Sequence, residues 1–269
     1  MNIQHIHLQD GDGRHLRYAL RTDDIYGNDP FIILADDTFA HNTFADHPHK
    51  GMQTVTYVLE GSLTHYDSET GGGGQLREGD FQIMTAGRGI IHNENPERGE
   101  DVRVLQLWVN LSSTHKQHAP YYEDLTKQHI PRHEFDGGYV DVLAGTIHGV
   151  TSPLSLLTPF VYGNVVLQPA ATYTLDIPAH YNTYVYMLDG EAMINGDAVR
   201  AYDFTHIAPE EVAQLQLVAQ ANTRFVFFSG EPIGEPIVAQ GPFVMNTAEE
   251  IQQAFRDYRE GTFLGGKSY

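Results

Sequence analysis

Apolar residues along this chain recur in short runs rather than in helical stripes. The segments 54–60, 105–111, 139–144, 184–189 and 225–229 are dense in Val, Leu, Tyr and Phe, and Gly, Asp and Asn punctuate the sequence between such runs. β-Branched and aromatic side chains suit the pleated surface of a strand, and Gly, Asp and Asn suit the turns between strands. The pattern predicts an all-β chain, arranged as a barrel or a sandwich. Four consecutive glycines at 71–74 precede more strand-like sequence and predict a hairpin tip; a phosphate cradle would be followed by a helix instead. Helical spacing emerges only near the end, at Ile251, Ala254, Phe255 and Tyr258. Thr247 and Glu250 stand before them as a capping box, which predicts one amphipathic helix over 248–259.

The chain carries an internal repeat. Thr54-Val55-Thr56-Tyr57-Val58-Leu59-Glu60-Gly61 parallels Thr183-Tyr184-Val185-Tyr186-Met187-Leu188-Asp189-Gly190, and Gly79-Asp80-Phe81 parallels Tyr202-Asp203-Phe204. Two copies of one β unit account for 269 residues, about twice the commonest domain length. The polar stretch 127–138 contains Pro131 and ends in Asp136-Gly137-Gly138, so it reads as a linker between domains 1–126 and 139–269, the second including the helix.

Composition narrows the function. Thirty-five acidic against sixteen basic residues leave a net charge of −19, which disfavours direct binding to nucleic acid, where Lys and Arg must neutralise phosphates. The absence of cysteine excludes disulfides, thiolate metal sites and cysteine nucleophiles. No apolar run is long enough to span a membrane, and the first residues lack a signal-peptide pattern, so a cytoplasmic location is expected.

Fifteen histidines bring the candidate chemistry. In a strand, residues i and i+2 share a face, so the imidazoles of His47 and His49 in His47-Pro48-His49 can reach one ion. His92-Asn93-Glu94 has the same spacing and follows the glycine turn Ala86-Gly87-Arg88-Gly89. Antiparallel strands can set the two pairs face to face. Three imidazoles and a carboxylate suit one divalent transition metal, whether Fe, Mn, Ni, Co, Cu or Zn. Four protein ligands on a six-coordinate ion leave open positions, as catalysis requires. His5-Ile6-His7 repeats the spacing without partner ligands nearby and reads as an N-terminal strand. Phe44, Met52, Met84 and Leu107 flank the ligand strands as candidate pocket residues, equally readable as core, and Arg88 is a candidate for attracting an anionic substrate.

The order of these motifs resembles the pirin family. The matching text is His47-Pro48-His49-Lys50-Gly51, Thr54-Val55-Thr56-Tyr57 with Leu59-Glu60-Gly61, Gly79-Asp80, Met84-Thr85-Ala86-Gly87-Arg88-Gly89-Ile90, His92 with Glu94, and Leu105-Gln106-Leu107-Trp108-Val109-Asn110-Leu111. Gly241-Pro242-Phe243-Val244-Met245-Asn246-Thr247 resembles the family's C-terminal domain. The resemblance implies two cupin barrels of the double-stranded β-helix (jelly-roll) kind with a short C-terminal helix, and a monomer. It implies His47, His49, His92 and Glu94 as ligands of one metal, taken in the family to be Fe²⁺. Cupins in general carry a glutamate near Gln53, so its absence leaves Glu94 as the expected site carboxylate. Carrying the repeat across puts Asp176, Pro178, Leu215 and Leu217 where the four ligands stand, so the second domain is expected to hold no equivalent site; His180 and His206 are assigned to structure.

Some bacterial pirins resemble quercetin 2,3-dioxygenases, which open a flavonol with O₂ and release CO. That chemistry needs a redox-active ion, exchangeable positions, an apolar slot and a base for the 3-hydroxyl proton, and Glu94 is the ligand able to act as that base. An alternative implied by eukaryotic pirins is a metal-bound, redox-sensing regulatory module acting through a protein partner. A third reading is a cupin isomerase using its metal as a Lewis acid without oxygen.

Overall fold

The computed structural model describes residues 1–11, 14–71, 74–207 and 214–265. It forms two compact units whose chain segments interlace: Met1–His7 joins Gln128–Pro232, and Leu8–Lys127 joins Ile233–Tyr269. No helix among the described residues is long and apolar enough to cross a membrane.

In the second of these units, a seven-stranded antiparallel sheet runs in the order Tyr121–Leu125, Phe81–Thr85, Met52–Glu60, Asp101–Asn110, Phe31–Ala40, Arg14–Leu20 and Gln9–Gly11. A four-stranded sheet, ordered His47–His49, Ile90–Asn95, Ser62–Asp67 and Gln75–Arg77, lies against it. Strand Met52–Glu60 is buried at every residue but the last, as expected for a strand covered on both faces. Gly72 and Gly73, at the centre of the expected hairpin tip, lie outside the described residues; the strands on either side pair antiparallel.

The other unit repeats this plan. Its seven strands run Asn2–His5, Asp203–Ile207, Asn182–Asp189, Thr223–Gly230, Phe160–Leu167, Gly138–Ala144 and Arg132–Phe135, and its four run Thr172–Asp176, Gln214–Ala219, Glu191–Ile194 and Asp197–Arg200. Arg132–Phe135, inside the polar stretch at 127–138, is thus an edge strand. The repeat extends to turn chemistry. Asp80 Oδ2 accepts the Arg77 N–H at 2.8 Å, and Asp203 Oδ2 accepts the Arg200 N–H at 2.9 Å. The residue before each aspartate, Gly79 or Tyr202, has a positive φ, at 89° and 69°.

The expectation of closed cupin barrels does not hold. Each unit is built on two main open sheets, seven strands and four, beside a small two-stranded ladder, and the ladders end in edge strands instead of continuing from one sheet into the other. Alternation of apolar and polar residues reports which face of a strand is buried. It carries no information on whether edge strands pair, which requires matched tilt and register around the whole ring.

The helix Ala248–Glu260 matches its prediction closely. Thr247 Oγ1 accepts the Glu250 N–H, the Glu250 carboxylate accepts the Thr247 N–H, and Gly261 closes the helix with φ 71°. Ile251 and Ala254 bury against Phe243, Met245 and Phe263.

Two contacts seat this C-terminal segment on the strand that follows the histidine pair. Gly51 has φ +78°, and a Cβ there would lie 1.9 Å from the Val244 carbonyl oxygen. Gly51→Ala is therefore expected to destabilise the protein by about 2 kcal/mol or more, because neither backbone can yield cheaply; a melting temperature equal to wild type would refute this. Beside it, the buried Lys116 ammonium donates to Gly51 O, Asn110 Oδ1 and Val244 O at 2.9, 2.8 and 3.0 Å.

Burial pushes the Lys116 ammonium down to about 8, against the opposing pull of Glu235, Glu250 and Asp29. An unfolded lysine keeps its proton to about 10.4, so between these values the unfolded chain binds more protons than the folded one. Stability contributed at this position therefore rises as pH increases from about 8 to 10. Thermal melts of wild type against Lys116→Met across that range should show wild type gaining relative stability; a flat difference would contradict it.

Candidate metal centre

Register on the four-stranded sheet assembles the site. His47 pairs directly with His92, and His49 with Ile90, across the first two strands. On the other side of Ile90–Asn95, Glu94 pairs with His65 and His92 with Asp67. Residues 90, 92 and 94 are buried while 91, 93 and 95 are only partly so, hence the ligand-bearing face is turned inward. Ligand atoms of His47, His49 and His92 all lie within 4.8 Å of one another, and so do those of His65, His92 and Glu94. His92 belongs to both groups.

These rings are prepared to act as lone-pair donors. Burial holds His49 and His92 well below the usual imidazole range, and neighbouring imidazoles add to the effect, His47 for His49 and His49, His47 and His65 for His92. Neutral imidazole is the metal-binding form. His47 Nδ1 lies 2.9 Å from the Ala45 carbonyl, which as acceptor leaves Nε2 with its lone pair. His49 Nδ1 and both ring nitrogens of His92 are buried without a hydrogen-bond partner. Buried polar atoms are rarely left so, and a cation among them resolves the deficit. The donor set therefore fits a divalent transition metal.

Glu94 is held by side chains from the seven-stranded sheet. Thr56 Oγ1 donates to Oε1 at 3.2 Å and Gln106 Nε2 donates to Oε2 at 2.9 Å. Trp108 Nε1 donates to Gln106 Oε1 at 3.3 Å, which fixes the amide with its NH₂ toward Glu94. The carboxylate is thereby arranged as an acceptor. Trp108 also meets His49 edge to face, with ring centroids 5.2 Å apart.

A cavity of about 280 Å³ opens beside the cluster, lined by His47, His49 and Glu94 together with Ile33, Phe39, Phe44, Val104, Trp108 and others. Of the four pocket residues anticipated from sequence, Phe44 lines it. Met52 packs with Ile32, Ile237 and Val244, Met84 with Ala86 and Ile90, and Leu107 is fully buried on the face opposite Gln106 and Trp108. One-residue parity in a strand decides between cavity and core. Arg88 is exposed beside Glu69 at 3.8 Å and does not line the cavity. Gln53 stands three residues from Thr56 on a regular strand, so it faces away from Glu94, and its amide donates to Thr85 Oγ1 at 2.9 Å. In the other unit, Leu215 and Leu217 are buried in the apolar core.

Sequence reasoning missed His65, Asp67, Thr56 and Gln106. His65-Tyr66-Asp67 is a further i, i+2 pair of polar residues, and the buried–exposed alternation of Ser62–Asp67 turns both inward. His65 Nε2 lies 3.3 Å from Asp67 Oδ2. Burial alone would raise the Asp67 carboxyl; the nearby His65 ring and hydrogen bonds from Thr70 and Glu69 outweigh it and hold the group at about 2.

Paired open sheets, one pair carrying a buried imidazole and carboxylate cluster able to hold a metal, define a protein of the cupin type. Family profiles agree: the profile described as Pirin matches residues 9–109, and that of the pirin C-terminal cupin domain matches 162–264. The chain is 39% identical over 256 residues to a pirin-like protein of Solanum lycopersicum, spanning 94% of this chain and 88% of that one. It is 36% identical to pirin of Homo sapiens over 257 residues, spanning 93% and 88%. Among solved structures, a quercetin 2,3-dioxygenase from Acinetobacter baumannii superposes with a TM-score of 0.87 at 31% identity, covering 98% of this chain and 97% of the other. The chain belongs to the pirin family.

Proposed function

We propose that this protein is a metal-dependent dioxygenase of the quercetinase type, with His47, His49, His92 and Glu94 holding one Fe²⁺. The observation that carries the reading is the junction of a buried three-imidazole, one-carboxylate cluster with a largely apolar cavity of about 280 Å³. A bound redox-active ion would supply the electronic link between an electron-rich enol and O₂. The chain's own part is to bind, orient and move a proton. Ile33, Phe44, Val104 and Trp108 offer apolar surface to a planar ring system. Glu94 accepts the proton of the 3-hydroxyl, and Thr56 and Gln106 hold its oxygens in place as that proton arrives. Ring opening with release of carbon monoxide completes the reaction.

Aerobic incubation of the Fe²⁺-loaded protein with quercetin is expected to consume O₂ and release CO in equal amounts. Absence of both would overturn the reading. His65 is fully buried and does not line the cavity, so with the four proposed ligands His65→Gln is expected to retain metal near wild-type stoichiometry by elemental analysis. Loss of metal as complete as in His49→Ala would move His65 into the set.

A further inference from the structure

Arg14, Tyr18 and Asp37 line the same cavity as Glu94 but lie outside the histidine cluster. Arg14 Nε donates to both oxygens of Asp37 at 2.8 and 2.9 Å, and Nη2 donates to Oδ2. The Arg14 guanidinium carbon sits 4.8 Å from the centre of the Phe44 ring, and Tyr18 lines the cavity beside it. A salt bridge on a cavity wall is costly to desolvate, and apolar residues would shape the wall at lower cost.

Register places this group two strands from the residue that holds Glu94. Gln106, the donor to Glu94, pairs with Ala35, and Ala35 pairs with Tyr18 on the next strand. Two strand spacings separate Gln106 from Tyr18, about 10 Å. Asp37 is two residues beyond Ala35 and Arg14 four residues from Tyr18, so both share the cavity face.

The chemistry of the group is mixed. Asp37 engages Nε and Nη2 of Arg14, which leaves the N–H groups of Nη1 as further donors, while a carboxylate has about four lone-pair sites and three are engaged here. A phenolic hydroxyl both donates and accepts, and so can satisfy Asp37 together with Arg14 or Tyr18. An aryl ether only accepts, and a bare ring edge does neither. Arg14 is the one Lys or Arg among the lining residues and its charge is matched by Asp37, so the distal end of the cavity has no surplus positive charge for an anionic tail.

Resting on the dioxygenase reading for the inner end of the cavity, we propose that Arg14, Asp37 and Tyr18 form a distal specificity site. It selects planar polyphenols that carry a free ring hydroxyl at the end remote from the oxygen meeting Glu94.

The test uses the full-length, iron-loaded chain and three probes: 3-hydroxyflavone, its 4′-hydroxy derivative and its 4′-methoxy derivative. Binding is titrated without oxygen through the emission of Trp108, the sole tryptophan and a lining residue, and O₂ uptake is then measured on the same samples. The hydroxy probe is expected to bind about tenfold more tightly than the other two. In Tyr18→Phe the preference should shrink to about threefold, and in the double variant Arg14→Leu/Asp37→Leu, which leaves no lone buried charge, it should disappear. Equal affinities for the three probes in wild type would overturn the distal site, as would a preference unchanged in Tyr18→Phe and in the double variant. Hydroxyl preference that responds to these substitutions without O₂ uptake would support the distal site while removing the dioxygenase reading. O₂ uptake with equal affinities would remove the distal site alone.

Discussion

Glu94→Gln is expected to cut flavonol turnover by about 10³-fold while retaining part of the bound metal. The substitution keeps size and shape, so the Thr56 and Gln106 side chains that flank the carboxylate have a similar group to face. What disappears is basicity, since an amide cannot accept the 3-hydroxyl proton near neutral pH. The amide also meets two donors where an acceptor-only group stood, so its NH₂ must turn away from Gln106 or force that side chain to flip. Trp108 opposes the flip because its indole N–H already requires the Gln106 oxygen. Three residual imidazoles keep the metal, at reduced affinity. Steady-state O₂ uptake with metal content measured on the same preparation checks the result. Turnover within about threefold of wild type at equal metal content would remove Glu94 as the base.

His92→Ala is expected to abolish metal retention, with affinity falling at least about 100-fold. His92 is common to both groups of close donor atoms, so its loss leaves neither intact. Its ring is 1% exposed, with centroids 4.4 Å from His47 and 4.9 Å from His49, so no solvent-borne ligand readily takes its place. Two observations separate metal loss from general damage. Elemental analysis after dialysis should fall to background, and added Fe²⁺ should no longer raise the melting temperature, since a ligand stabilises only the state that binds it. His7→Ala, in the other unit, should change neither. Wild-type metal content in His92→Ala would sink the proposed ligand set.

The two effects have different origins. Glu94 is held by the seven-stranded sheet through Thr56 and Gln106, whereas His47, His49 and His92 are held by ladder register within the four-stranded sheet. The site thus spans both layers of one sandwich. Gly51 and Lys116 seat the C-terminal segment whose Gly241 and Pro242 complete the cavity wall.

Local pattern was sufficient for much of this molecule. Runs of β-branched and aromatic residues between turn residues specified strands, the Thr247–Glu250 box specified the helix start, and the i, i+2 spacing singled out His47 and His49, whose ligand atoms lie within 4.8 Å of those of His92, and Glu94, which groups with His65 and His92. The strands, the helix start and each i, i+2 pair depend on interactions within a few residues, which a sequence displays directly. Tertiary structure alone decided the rest. Sheet closure depends on the pairing of edge strands distant in sequence, and the sheets stay open. Placement of Met52, Met84 and Leu107 in core rather than cavity depends on one-residue parity relative to a partner strand. The approach of His65, Gln106 and Arg14 to the site depends on register between strands many residues apart. Registers are set by the packing of whole faces, a cooperative property that no short stretch of chain encodes.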